Sequence, residues 1–192
     1  MGLTRVTSDR RRILEGGFFL LLFCLTIPLA NWMIGHVGTV CLSNSPCLLP
    51  VAPGLMAPSG VVMIGIALVL RDLVQRRLGA EFGLAAIIVG TAISALVAPR
   101  SLVLASAMAF FISELADFAV YTPLARRRLV LAVIASGLLG IVLDSLVFLW
   151  LAFGSLDFLL GQIVGKAWMI LLSIPFIAYL RRRDERIGFT PA

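Results

Sequence analysis

The chain has 192 residues, 60% of them hydrophobic and 14% charged, and its mean hydropathy is +1.06. Soluble domains carry about a quarter of their residues as charges, so a water-soluble globule is excluded and an integral membrane protein is expected. The net charge of +6 would point to nucleic acid in a soluble chain, but here the arginines stand in short blocks between apolar runs, which is a topology signal.

The chain opens on a basic segment with Arg5, Arg10, Arg11 and Arg12, followed by an apolar run over about 17–36. A signal peptide starts the same way, yet no small-residue cleavage motif follows Pro28-Leu-Ala-Asn-Trp32, so the run is read as a retained first helix. Residues 37–57, rich in Ser, Asn, Cys, Pro and Gly, are expected to form an external loop closed by Pro58 at a helix start. Cys41 and Cys47 share that loop, and their spacing permits a local disulfide without requiring one.

Further apolar runs fall at about 58–77, 82–98, 101–121, 129–151 and 158–180. Each has about the length that spans a bilayer as a helix. Only helices and closed barrels satisfy their backbone in lipid, and no alternating ten-residue pattern suggests a barrel. The expected fold is therefore all-α: one transmembrane domain over 1–192, built as a six-transmembrane-helix bundle. Fourteen arginines fall on one side of it, in the blocks around Arg10, Arg76, Arg127 and Arg182, and only Arg100 falls on the other. The excess predicts that both termini are cytoplasmic.

The second run is unusual. Only thirteen residues separate Pro58 from Arg71, which puts Arg71 and Asp72 about 9 Å inside the cytoplasmic boundary. Asp72, Gln75 and Gly79 share one helix face, with Arg71 at its edge. These charges either snorkel at an interfacial helix end or line a cavity.

Four more charges interrupt apolar runs: Glu114 and Asp117 in SELADFAVY, Asp144 in GIVLDSLVF, and Lys166, the only lysine of the chain. A charge at the centre of a membrane helix costs about 2.5–3.5 kcal/mol on insertion scales, so such residues usually face the bundle interior. Glu114, Asp117 and Tyr121 share a face, and Gln162 lies one turn before Lys166. Stepping from the helix midpoints puts Lys166 and Asp144 both about 5 Å to the external side, and Glu114 and Asp117 about 5 and 9 Å to the cytoplasmic side. Lys166 and Asp144 at one depth predict an ion pair or a shared clamp. Three acids against one lysine leave carboxylates that are protonated, hydrated or waiting for a ligand, unless Arg71 reaches in. The alternative is that the charges neutralise one another and only fix helix packing.

The pattern favours a polar cavity near the midplane, where transporter sites commonly lie. Its candidate substrate-binding residues are Glu114, Asp117, Asp144, Gln162, Lys166, Asp72, Arg71 and Gln75. Trp168, Phe148 or Tyr121 could offer a stacking face. Catalysis is not expected: the single histidine, His36, lies at the external end of the first helix, far from any base role toward Ser113 or Ser136. No metal-ligand cluster or phosphate-cradling loop appears in the sequence, so no metal or cofactor is expected.

From about Asn31 to Tyr179 the chain resembles the vitamin uptake family, also called queuosine precursor transporters. The resemblance is carried by Pro58-x-Gly60 with Asp72 and Gly79; Ser113-Glu114-x-x-Asp117 with Tyr121; and Ser136, Gly140 and Asp144-Ser145 with Phe148 and Ala152-Phe153-Gly154. Gly161-Gln162, Lys166, Pro175 and Tyr179 complete it. It implies a six-helix carrier in a bacterial inner membrane, similar in fold to the substrate-binding components of energy-coupling-factor transporters, that imports 7-deazaguanine precursors of queuosine. It implies a stand-alone carrier whose partners are the small-molecule substrate and the lipid bilayer, with no nucleic acid; the alternative is a binding component that docks onto a separate energising module, and a homo-oligomer is left open. Where many members read Asn-Asp then Thr-Glu in the second helix, this chain has Arg71-Asp72 and Gln75-Arg76. Against a guanine-like ring, Glu114 or Asp117 would accept from the donor edge, and Lys166 or Gln162 would donate to the carbonyl.

Overall fold

The structure is a computed structural model that describes residues 2–41 and 46–188. Helix α1 (Gly2–His36) leads into a hairpin of β1 (Leu48–Ala52) and β2 (Leu55–Pro58). Then come α2 (Val61–Leu78), α3 (Ala80–Val97), α4 (Val103–Ala125), α5 (Leu129–Phe153) and α6 (Leu159–Arg186). Each expected helix is present, but two outrun their apolar stretches. α1 begins at Gly2 where the apolar run starts near 17, and α6 continues to Arg186 where its run stops near 180. Charge pairs one turn apart carry both extensions: Arg11 Nε donates to Glu15 Oε1 at 3.0 Å and Arg181 Nε to Glu185 Oε1 at 2.8 Å.

By length and hydropathy, five of the helices can cross a membrane: α1 from Arg10, α3, α4, α5 and α6. α2 fails that test because its 18 residues carry Arg71, Asp72, Arg76 and Arg77. Its position explains how it can be so polar. α2 packs against all five other helices, and thirteen of its residues are buried, the unbroken stretch from Ala67 to Arg77 among them. The interfacial reading of Arg71 and Asp72 is therefore corrected: their exposures are 0% and 1%. Outward-facing positions are held by large apolar side chains, with Leu96 84%, Leu172 68% and Trp150 65% exposed. Charge inside and leucine outside is the arrangement lipid demands.

The segment expected as an irregular loop holds the antiparallel hairpin, with Leu48 opposite Pro58 and Ala52 opposite Leu55. Its turn is Pro53-Gly54, with Gly54 at φ +72°, the left-handed position that glycine takes without a steric penalty. Pro58 accordingly ends β2 and does not start a helix; α2 begins at Val61. Cys41 and Cys47 form a disulfide at the base of the hairpin. The Cys47 amide donates to the Ile34 carbonyl at 2.8 Å and the Ser59 amide to the Cys47 carbonyl at 2.9 Å. Trp168 Nε1 donates to the Val51 carbonyl at 3.0 Å. These bonds tie the hairpin to α1, α2 and α6 at one end of the bundle. The opposite end carries the arginine blocks.

Candidate functional site: a cleft above two buried charge tiers

Below the hairpin a cleft opens between the helices, and all six contribute to it. α1 supplies Ile27, Ala30, Asn31 and Ile34; α2 supplies Val61 and Ile64 beside Pro58 and Gly60. Ser94 comes from α3 and Ser106 and Phe110 from α4, while Asp144 and Phe148 of α5 face Gln162 and Lys166 of α6. The walls are apolar and aromatic with a few polar groups, the usual make-up of a small-molecule site. The cleft holds about 40 Å³, room for a few waters and well short of the roughly 300 Å³ at the small end of ligand pockets. Admitting a ring-sized molecule requires the walls to part.

Lys166 closes the polar end of the cleft. Its three ammonium protons are all used: Nζ donates to Asp144 Oδ2 at 2.5 Å, Ser145 Oγ at 2.8 Å and Gln162 Oε1 at 2.7 Å. The lysine is 1% exposed and Asp144 7%. The ion pair expected from matching depth is thus formed. Two groups on the cleft wall keep unused capacity: the Lys166 bonds engage Asp144 Oδ2 and Gln162 Oε1 and leave Asp144 Oδ1 and Gln162 Nε2 out. One can accept and the other can donate.

A second tier lies next to it toward the arginine-rich end. Arg71 is buried at its centre and spreads its guanidinium over partners on α2 and α4. Nε donates to Glu114 Oε2 at 2.9 Å, Nη1 to Gln75 Oε1 at 3.2 Å, and Nη2 to Asp117 Oδ1. Asp72 Oδ1 stands 3.0 Å from Nη1. Gln75 passes its own amide proton to Thr122 Oγ1 at 2.9 Å. Arg71 also lies over the rings of Phe118 and Tyr121, 5.9 and 5.8 Å from their centroids. So Arg71 does reach in, and Glu114, Asp117, Asp72 and Gln75 turn to it and not to the cleft. Gly140, one turn before Asp144 on α5, lets this tier pack: a Cβ there would stand 3.3 Å from Asp117 Oδ2.

The third tier is at the arginine-rich end. Asp184 Oδ2 accepts from Arg76 Nε and Nη2 at 3.1 and 2.8 Å and from Arg77 Nη1 at 2.8 Å, while Oδ1 accepts from Arg77 Nη2 at 3.0 Å. Glu15 joins α1 to it by pairing with Arg77 at 2.9 Å and Arg183 at 2.7 Å. Bidentate geometry of this kind is the strong form of the ion pair. It pins the ends of α1, α2 and α6 together.

Of the three aromatic candidates, only Phe148 lines the cleft. Tyr121 is buried beside Arg71, and Trp168, 48% exposed, anchors the hairpin. Sequence reasoning did not count Asn31, Ser94, Ser106 or Phe110 among the candidate site residues, and named Ser145 only as part of the family resemblance. The available signal was weak but real: Asn31 is the one amide inside the first apolar run. Ser94 and Ser106 sit at facing helix ends, where their hydroxyls bond at 2.8 Å.

Residues 96–180 match the family model described as "Putative vitamin uptake transporter". The matched segment holds α4, α5 and most of α6, and with them Glu114, Asp117, Asp144, Gln162 and Lys166. Neither the curated proteins nor the solved structures contain a match.

Proposed function

We propose, from the match of residues 96–180 to the family model described as "Putative vitamin uptake transporter", that the chain is a six-span inner-membrane carrier importing a small purine-like molecule of the 7-deazaguanine type. One observation carries the reading: a single cleft, lined by every helix, ends on the Asp144, Gln162 and Lys166 group. The unused Asp144 Oδ1 would accept from the N–H edge of a guanine-like ring, and Gln162 Nε2 would donate to its carbonyl. Phe110 and Phe148 supply the flat apolar walls.

Two features support an orientation with the cleft outward and both termini in the cytoplasm. Disulfides persist on the oxidising side of a bacterial inner membrane, and the Cys41–Cys47 bridge lies at the hairpin end. The arginine blocks lie at the other end, and arginine excess marks the cytoplasmic side. Burial of Arg71, Arg76 and Arg77 takes three of the fourteen out of that count, and the remaining eleven still outweigh Arg100. The cleft then faces outward, as an importer's receiving site should, with both termini inside.

The test is uptake of radiolabelled 7-deazaguanine by the purified protein in ATP-free liposomes. Saturable uptake that Asp144→Asn abolishes is the expected result. Binding without uptake would instead make the chain a binding component that needs a separate energising module. Absence of both would reject a 7-deazaguanine substrate.

A further inference from the structure

The mechanism of the cleft uses Asp144, Gln162 and Lys166 and leaves the Arg71 tier without a role beyond packing. Its charges do not balance. Arg71 supplies one positive charge against the carboxylates of Asp72, Glu114 and Asp117, and all four residues are at most 1% exposed. The neighbouring tiers do not make up the difference. Above, Lys166 is spent on Asp144; below, Arg76 and Arg77 are committed to Asp184, and Arg77 also to Glu15. α3 brings no ionisable group to the tier, since its Glu81 lies at the exposed first turn. Ionised throughout, the tier would hold two uncompensated negative charges in a low-dielectric interior, where like charges in contact cannot all stay ionised.

The geometry singles out a pair. The Asp72 and Asp117 carboxyl groups, on α2 and α4, meet on one guanidinium: Asp72 Oδ1 stands 3.0 Å from Arg71 Nη1, and Asp117 Oδ1 accepts from Arg71 Nη2. Asp117 Oδ2 is buried without a hydrogen-bond partner among the described residues, and the only partner of Asp72 Oδ1 among them is the Arg71 guanidinium, in an ion pair. Ser136 Oγ of α5 and Tyr121 Oη of α4 are buried hydroxyls that also lack a hydrogen-bond partner among the described residues. Ser136 is 0% and Tyr121 1% exposed. Two buried carboxyl groups on one guanidinium repel each other less when they hold a hydrogen between them, and buried polar groups rarely stay unpaired.

The tier also lies between two cavities. The hairpin-side cleft reaches Asp144, one helical turn from Gly140, which touches Asp117. From the arginine-rich end a second cavity of about 40 Å³ reaches Gln75 and Tyr121, both in contact with Arg71. The four acids and bases of the tier are the barrier that separates the two.

We propose that Asp72 and Asp117 share one proton at neutral pH, and that this pair, set between the two cavities, is the site through which proton movement is coupled to import. The proton binds from water on one side and leaves to water on the other, and no other bond changes. The coupling clause rests on the import reading; the shared proton does not.

Infrared spectroscopy of the full-length protein in liposomes at neutral pH tests the proton directly, because a protonated carboxyl has its own C=O stretch, which shifts in D2O. The expected result is such a band in the wild type, losing most of its intensity in Asp72→Asn and in Asp117→Asn and unchanged in Asp184→Asn. No band in the wild type, or one unaffected by both variants, overturns the shared proton; the wild-type spectrum alone decides if a variant does not fold. A stabilising effect of sodium in place of the band would overturn it equally. The second arm imposes a pH gradient on the ATP-free liposomes with labelled 7-deazaguanine. Uptake that rises with an acidic exterior in the wild type, and loses that response in Asp72→Asn, supports coupling; uptake indifferent to the gradient overturns it. If 7-deazaguanine is not taken up at all, the import reading fails while the infrared result still stands or falls by itself.

Discussion

Lys166 and Asp144 meet across the α5–α6 contact with Nζ 2.5 Å from Oδ2, and the pair forms one wall of a cleft to which every helix contributes. An ion pair in that position has two separable jobs, holding the helices and presenting groups to a ligand. Removing one partner strands the other: Lys166→Met leaves the Asp144 carboxylate uncompensated and should cost about 3–5 kcal/mol. Replacing both, Lys166→Met with Asp144→Leu, exchanges the pair for apolar groups and should recover most of that loss. Thermal unfolding in detergent reads the first effect and 7-deazaguanine binding the second. The double variant is expected to be stable and unable to bind, whereas binding retained in the double variant would show that the pair serves packing alone.

Arg71 makes a different kind of contact. Its three guanidinium nitrogens each reach a different side chain, Glu114, Gln75 and Asp117, and a planar fork can do this where a point charge cannot. Arg71→Lys keeps the charge yet leaves at least one of those acceptors without a donor. A loss of about 2 kcal/mol is expected from one unsatisfied buried charged group. A lysine variant that unfolds at the wild-type temperature would mean that the fork geometry is incidental.

These two residues also mark how far the sequence could be read. The helices were legible because apolar runs of bilayer length have few alternatives, and Lys166 opposite Asp144 followed from depth along two helices. Depth along one helix does not say what surrounds it. Arg71 and Asp72 look interfacial when α2 is pictured alone, and become buried only because α2 is central and all five other helices close around it. Asp184 could not have been singled out for the same reason: it follows three arginines at a helix end, and only the fold brings Arg76 and Arg77 to it from 108 and 107 residues away. The hairpin was a different kind of miss. Pro53-Gly54 between the apolar stretches 48–52 and 55–58 is a turn signal of the ordinary sort, hidden here by the prolines and cysteines that made the whole segment look irregular.

The disulfide offers a test of orientation. Cys41 and Cys47 are bridged at the hairpin end, and the remaining cysteine, Cys24, lies within α1. Intact bacterial cells treated with a mild reductant and then with a membrane-impermeant maleimide should label at Cys41 and Cys47, with no need to permeabilise. Labelling only after permeabilisation would place the hairpin, and the mouth of the cleft, on the cytoplasmic side. Cys47→Ser should lower stability by roughly 2 kcal/mol, the entropy of closing so short a loop, a loss that reduction of the wild type should reproduce.

The narrowness of the cleft makes its walls sensitive to small changes of volume. α2 and α6 approach closely where Gly65 faces the backbone of Lys166: a Cβ on Gly65 would lie 2.9 Å from the Lys166 carbonyl oxygen and 2.8 Å from Met169 Cβ. Backbone cannot rotate aside as a side chain can, so Gly65→Ala must push α6, and Lys166 with it, away from α2. Overpacking of this kind costs about 1–3 kcal/mol, and the displaced Lys166 should also weaken binding of 7-deazaguanine. Gly17→Ala is the matched control, since a Cβ there meets nothing within 4 Å and an alanine in a helix is favoured over glycine by about 1 kcal/mol. Gly17→Ala is therefore expected to unfold at or above the wild-type temperature and bind normally. Equal behaviour of the two variants would mean that α2 and α6 are free to separate at Gly65, and the tight seam under the cleft would not constrain Lys166.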